Sequence, residues 1–228
     1  MRDRAPSGIG TVPSDERSQI LAPGTIQNAV AAAGLQSLTA RAAEQFAAYA
    51  ELLLKWNARL NLTALRTPQQ ILERHFIESV FCAQHLAGAP KTLLDFGSGA
   101  GLPGLPIAIC RPEISVTLAE SNHKKAAFLH EAVRVTQIDA AVYSDRVETM
   151  PADRRFEAVT MRAVDKMAEA LPAALARLTL GGTLVLLTTT PEAPVATPSC
   201  LQIISTQPLP NSTSRILLQL TRPHSVSE

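Results

Sequence analysis

The chain has 228 residues, 46% of them hydrophobic and 18% charged, which suits one α/β domain with a helical extension rather than two full domains. A formal net charge of +1 and an aromatic content of 4% exclude a protein that grips nucleic acid by bulk charge or stacks bases along an aromatic surface. The three cysteines have neither CxxC spacing nor a nearby histidine partner, so no disulfide framework and no metal are expected, and no apolar run reaches membrane-spanning length.

Taken in chain order, residues 1–24 carry Arg, Asp, Ser and Pro without an apolar core. They read as a disordered tail and not as a secretory signal, which with the free thiols points to the cytoplasm. Residues 25–90 form a predicted helical extension. Phe46, Tyr49, Leu53, Trp56 and Leu60 recur at steps of three and four, which puts them on one helix face. Residues 61–66 break that helix, and Thr67, Pro68 and Gln70 then read as N-cap, first helical residue and capping-box partner of the next. Gly88 ends it.

Residues 91–228 alternate apolar runs with helical patterns. Strands are expected over 92–96, 115–120, 141–144, 156–162 and 183–188. The helices between them are expected from near Pro103, over 122–135 and over 165–178, the last stopping at Gly181-Gly182. Repeated βα units of this kind build a Rossmann-like fold: a mostly parallel twisted sheet with helices on both faces. Residues 188–198 are rich in Thr and Pro. Two further strands, 201–209 and 215–220, are joined by the turn Pro210-Asn211-Ser212.

The chemistry concentrates in Leu93-Leu94-Asp95-Phe96-Gly97-Ser98-Gly99-Ala100-Gly101-Leu102-Pro103-Gly104. Glycines at a strand-to-helix turn let the backbone approach a ligand closely, beside free helix N–H donors. From Gly97 the pattern reads GxGxG, a methyltransferase nucleotide loop; from Gly99 it reads GxGxxG, the dinucleotide fingerprint. Charge separates the two. A carboxylate at Asp95 repels the pyrophosphate of NAD and suits S-adenosylmethionine, which carries an ammonium and a sulfonium. The alternative for Asp95 is a cap on the following helix.

Glu120 ends the second strand about twenty residues past the loop, where such folds place an acid on the ribose hydroxyls. Val147-Glu148 follows the third strand, where an adenine ring packs on apolar side chains and Glu148 accepts from its edge. Arg162 ends the fourth strand at the same crevice, either to grip a phosphate or the cofactor, or paired with Asp165. That strand supplies no Asn/Asp-Pro-Pro-Tyr/Phe motif for exocyclic amines and no cysteine for ring-carbon attack. Guanine N7 has an available lone pair and requires no base, so alignment would carry the reaction.

Together these segments resemble the RsmG (GidB) family over about residues 52–183. The resemblance rests on Leu54-Lys55-Trp56-Asn57 with Asn61-Leu62-Thr63-Ala64, on Arg74-His75-Phe76-Ile77-Glu78-Ser79, and on the glycine loop through Pro106. Arg111-Pro112-Glu113, Lys124-Lys125 with Phe128-Leu129, Arg146-Val147-Glu148 and Arg162-Ala163-Val164 extend it. The resemblance implies a class I methyltransferase that methylates guanine N7 in 16S ribosomal RNA; a monomer is expected. Gly97, Leu102, Val147, Glu148 and Arg162 then fall on the family's cofactor positions, and Arg74 and His75 become candidates for the catalytic, RNA-facing side. Lys124 and Lys125 read as a solvated helix face. The C-terminal side departs from the family: Leu187-Thr188-Thr189 stands where Leu-Lys-Gly is usual. A relative that binds the cofactor without catalysis, acting as a sensor or assembly factor, is therefore an alternative. A nicotinamide oxidoreductase rests only on Gly99, Gly101 and Gly104.

Overall fold

The computed structural model describes residues 19–162, 167–189 and 200–223. Residues 1–18 of the expected 1–24 tail, Asp165, and residues 190–198 of the Thr/Pro-rich stretch lie outside them. Three helical segments come first. Helix α1 spans Pro23–Ala32, with Pro23 at its first turn, so the helical region begins before residue 25, and Leu21 is already buried in the core. Helix α2 spans Ala40–Leu60, capped by the Thr39 hydroxyl at one end and closed by Asn61 in the left-handed conformation at the other. Phe46, Tyr49 and Leu53 are fully buried, as the periodicity requires.

The third rod, α3, consists of the consecutive pieces Pro68–Gln70, Ile71–Phe76 and Ile77–Gln84. Thr67 and Gln70 form the expected capping box. The middle piece is π-helical, which sequence periodicity does not reveal. Widened turns of this sort are rare and concentrate at functional sites, and this one carries Arg74 and His75.

The α/β unit follows: β1 (Thr92–Phe96), α4 (Gly104–Cys110), β2 (Ser115–Ala119), α5 (His123–Thr136), β3 (Ala140–Tyr143), β4 (Phe156–Arg162), α6 (Met167–Arg177), β5 (Leu178–Thr189), β6 (Gln202–Pro208) and β7 (Arg215–Thr221). The seven strands lie in the order β3-β2-β1-β4-β5-β7-β6. The first five are parallel, and β7 is antiparallel to both neighbours. The chain reverses its winding at β1, with β2 on one side and β4 on the other, which opens a crevice beyond the strand ends. β5 begins earlier than expected. Residues 178–182 join the sheet because the Gly181 N–H donates to the Arg222 carbonyl at 2.6 Å and the Arg222 N–H donates to Gly182 at 3.0 Å.

Alternation along β1 divides the core. Leu93 joins a cluster with α2, α3, α4 and α5, while Leu94 joins a second cluster with β4, β5 and α6. The helical extension is thus built into the sheet's first core. Among the described residues no helix is long and apolar enough to cross a membrane, and no cluster of side chains is arranged to hold a metal.

Candidate functional site

The glycine turn after β1 is shaped by its backbone. Gly97, Gly99 and Gly101 have φ of +68°, +54° and +86°, a region that L side chains rarely occupy. A Cβ on Gly101 would also collide with the Leu105 side chain. Ser98 N–H donates to the Ala119 carbonyl at 2.9 Å, tying the turn to the end of β2. From the helical side, the buried Tyr49 hydroxyl donates to the Ala100 carbonyl at 2.5 Å. Tyr49 is itself clamped by Phe76, with ring centroids 5.4 Å apart, and by Phe128 at 6.4 Å.

Asp95 does not face open solvent. It is 1% exposed, its Oδ1 accepts from the Thr160 hydroxyl at 2.8 Å, and its Oδ2 accepts from the Gly104 N–H at 3.3 Å. Burial raises its pKa to about 6, against the bonds from Thr160, Ser98 and Gly104 that lower it. The cap-like alternative is thus the geometry present: the carboxylate braces the start of α4 from beneath the glycine turn. Gly104 permits this, since a Cβ there would lie 2.6 Å from Asp95 Oδ2.

Beyond the turn lies a cavity of about 260 Å³. Phe96, Gly97, Ala119 and Val147 give it apolar walls, and Glu120, Asp145, Arg146 and Glu148 give it polar ones. Three carboxylates against one guanidinium leave it net acidic. Glu120, 8% exposed, is aimed by two backbone donors: Gly99 N–H to Oε2 at 2.9 Å and Asn122 N–H to Oε1 at 2.8 Å. Val147 is buried and Glu148 exposed on the short turn Val147–Thr149. Leu102 is buried behind the turn and is not among the residues lining the cavity.

The remaining candidates gather at the end of β4. Among the described residues Arg162 pairs with Glu78: Nη2 lies 3.1 Å from Glu78 Oε2. The same nitrogen donates to the Arg74 carbonyl at 2.8 Å and to His75 Nδ1 at 3.1 Å. A guanidinium can only donate, so Nδ1 accepts and the proton of the neutral ring sits on Nε2, which donates to the Thr63 hydroxyl at 2.7 Å. Burial first, then the Arg162 charge, hold His75 down at about pH 3. Both of its nitrogens are engaged, so His75 positions Arg162 instead of standing ready as a base. Arg74 is exposed, and it meets Arg162 through its backbone.

Two members of this cluster carry no site role in the sequence reading. Glu78, 1% exposed, faces Arg162 on one oxygen and Arg215 on the other, with Arg215 Nη1 2.5 Å from Oε1. Burial raises its pKa, and the two arginines oppose that rise. An acid within the mostly apolar stretch 76–83 was the available signal. Arg215 comes from β7, distant in sequence, and offered none. A larger cavity of about 640 Å³ lies at the opposite end of the sheet, in the loops leading into β2 and β3, and contains none of the candidate residues.

A parallel sheet reversing at β1, an antiparallel β7 inserted beside β5, and an acid-lined cavity beyond a glycine turn define a Rossmann-like class I methyltransferase fold. Solved structures agree on that fold alone. The ribosomal protein L11 methylase from Lactobacillus delbrueckii subsp. bulgaricus superimposes with a TM-score of 0.54 at 15% identity, over 66% of this chain and 79% of that one. P. horikoshii TYW2, crystallised with MeSAdo, gives 0.52 at 17% identity, over 64% and 61%. The family is more specific: residues 42–195 match the GidB model, described as rRNA small subunit methyltransferase G, and the chain belongs to that family. Ribosomal RNA small subunit methyltransferase G from Roseiflexus sp. (strain RS-1) is 45% identical over 62% of both chains. The Xanthomonas euvesicatoria protein of that name is 40% identical over 66% of this chain and 70% of its own. The chain spans a little over three-fifths of the length of the Roseiflexus relatives it matches.

Proposed function

We propose that the chain transfers a methyl group from S-adenosylmethionine to N7 of a guanine in 16S ribosomal RNA, as a cytoplasmic monomer whose catalytic unit is residues 91–228 with the helices of 25–90 built onto it. The observation that carries the reading is the acid-lined cavity beside the glycine turn, taken with membership of the family.

The residues present fit the cofactor. At about 260 Å³ the cavity is smaller than the ~300–1,000 Å³ of a whole ligand pocket, so it suits the nucleoside half. Glu120 presents acceptors to ribose hydroxyls, Val147 and Phe96 give apolar contact for a ring, and Glu148 offers an acceptor to its edge. Net acidity opposes a pyrophosphate, which sets the nicotinamide reading aside, and favours a cationic ligand. When bound, the cofactor supplies an activated methyl on a sulfonium. Asp95 acts at one remove, by fixing the turn and the start of α4, and Arg162 is held at the crevice by Glu78 and His75.

The described end of β4 offers neither a free histidine nor a cysteine, which accords with an acceptor that needs no proton removed. The purified protein should transfer labelled methyl to small-subunit RNA lacking the modification, with the label mapping to guanine N7. Cofactor binding without incorporation into that RNA overturns the assignment.

A further inference from the structure

We infer that the groove between α2 and the start of α5 is a docking site for the phosphodiester backbone of single-stranded RNA beside the target base; this rests on the proposed function and adds where the substrate is held. The groove, about 250 Å³, is lined by Lys55, Trp56, Arg59, Leu60, Lys124 and Ala127. Lys55 and Arg59 stand one turn apart on α2, and both are exposed, as is Lys124. Among the described residues none of the three has an ion-pair partner. The chain as a whole carries a net charge of only +1, so three unpaired cations converging on one concavity make a local positive site of the kind a near-neutral RNA-binding protein needs.

Lys124 sits where a cation is intrinsically unfavourable. It is in the first turn of α5, which has no acidic residue to offset the positive end of the helix dipole. Its placement there opposes helix stability and serves an external anion. The floor of the groove supplies what a nucleotide needs besides charge: Trp56 is half-buried, its indole N–H is fixed by Glu131 at 2.8 Å, and its ring meets Phe128 edge-on at 5.9 Å. A held aromatic ring can take a base or ribose by stacking, with no sequence preference.

The groove is joined to the cofactor cavity through short covalent and packed links. Asn122, whose amide donates to Glu120, caps the helix that carries Lys124. Phe128 beneath Trp56 packs on Tyr49, which holds the glycine turn. RNA seated on the three cations therefore lies along the rim from which a methyl group would be delivered.

The test combines Lys55→Gln, Arg59→Gln and Lys124→Gln in the full chain. Binding to a labelled small-subunit RNA transcript and to oligouridylate of equal length is read by anisotropy across a salt series, with S-adenosylmethionine binding read by calorimetry. The expected result is at least tenfold weaker binding to both RNAs and a salt slope flatter by about 2, with cofactor affinity unchanged. Unchanged RNA affinity and slope in the triple variant overturns the groove and leaves the enzyme reading standing. A wild-type chain that binds polyglutamate as tightly as RNA also overturns it, in favour of an acidic protein segment. Absence of RNA binding by the wild-type chain sinks both readings at once.

Discussion

The acid-lined cavity and the buried cluster at the end of β4 use the same kinds of side chain to opposite ends. In the cavity, Glu120 and Glu148 sit at the edge of solvent, and the acids outnumber the single guanidinium. In the cluster, Glu78 is 1% exposed and lies between two arginines, with His75 closing the network. The first arrangement leaves acceptor capacity for a ligand. The second uses its capacity internally to hold one guanidinium still. The lesson is that an ionisable group near a crevice indicates binding when its partners are backbone amides that aim it, and support when its partners are other charges that consume it.

Removal of the central acid is expected to have the largest effect. Glu78→Gln leaves Arg162 and Arg215 without a compensating charge in a buried place. A loss of about 3–5 kcal/mol is expected from breaking such a pair, measured by chemical denaturation. A loss below about 1 kcal/mol would show that the cluster is hydrated and loose, and that it cannot set the orientation of Arg162.

Acid titration probes the same cluster. His75 is held near pH 3 in the folded chain against an ordinary 6.5, so between those values the unfolded chain binds the extra proton and stability falls as pH falls. Asp95 works the other way. Its pKa rises from 3.8 to about 6, so the folded chain takes up the proton first and gains relative stability on acidification through that window. The two oppose, and Glu78, raised by burial, acts on the side of Asp95. His75→Gln removes the loss and should leave the protein more stable at pH 4 than at pH 7 in paired melts, relative to wild type. Equal acid sensitivity in both proteins would mean His75 is not buried neutral.

The parallel βα units and the residues around the glycine turn were legible in the sequence, and the strand order and the cluster were not. Strand periodicity, the glycines at a strand end and an acid about twenty residues later each leave a local mark, because each follows from backbone geometry within a single βα unit. Asp95 was half legible: the sequence sets it on the strand leading into the glycine turn, but only the packing of Gly104 and Thr160 decides that it turns beneath the loop. The π-helical turn leaves no periodic trace, since a widened turn changes register without changing composition. Arg215 reaches Glu78 because β7 is inserted beside β5, a consequence of tertiary topology that no window of sequence contains. Glu78, a partner of Arg162, lies across the crevice on α3 and more than eighty residues away in sequence, where no local window looks.

In the cavity, Glu120→Ala should weaken S-adenosylmethionine binding by about 1.5–3 kcal/mol, the range for hydrogen bonds to a charged group. Part of any fall in stability would come from the Gly99 and Asn122 amides that lose their acceptor. Glu120→Gln keeps one acceptor oxygen and should recover part of the binding. An unchanged dissociation constant in Glu120→Ala would place the ribose elsewhere.

Glu148→Gln is expected to have the smallest effect and is the most discriminating within the cavity. The side chain is exposed on a short turn, so its removal should leave stability within about 0.5 kcal/mol of wild type. Gln retains an acceptor oxygen of the same reach but no charge, so a base edge that donates to residue 148 would still be met, and cofactor affinity should fall by only about 0.5–1 kcal/mol. Glu148→Ala removes the acceptor and should fall further, while S-adenosylmethionine and S-adenosylhomocysteine should lose equally in both variants, because the contact is to their shared adenine. A loss confined to S-adenosylmethionine would mean that Glu148 senses the sulfonium charge, and the cavity would then hold the methionine end of the cofactor instead of its nucleoside.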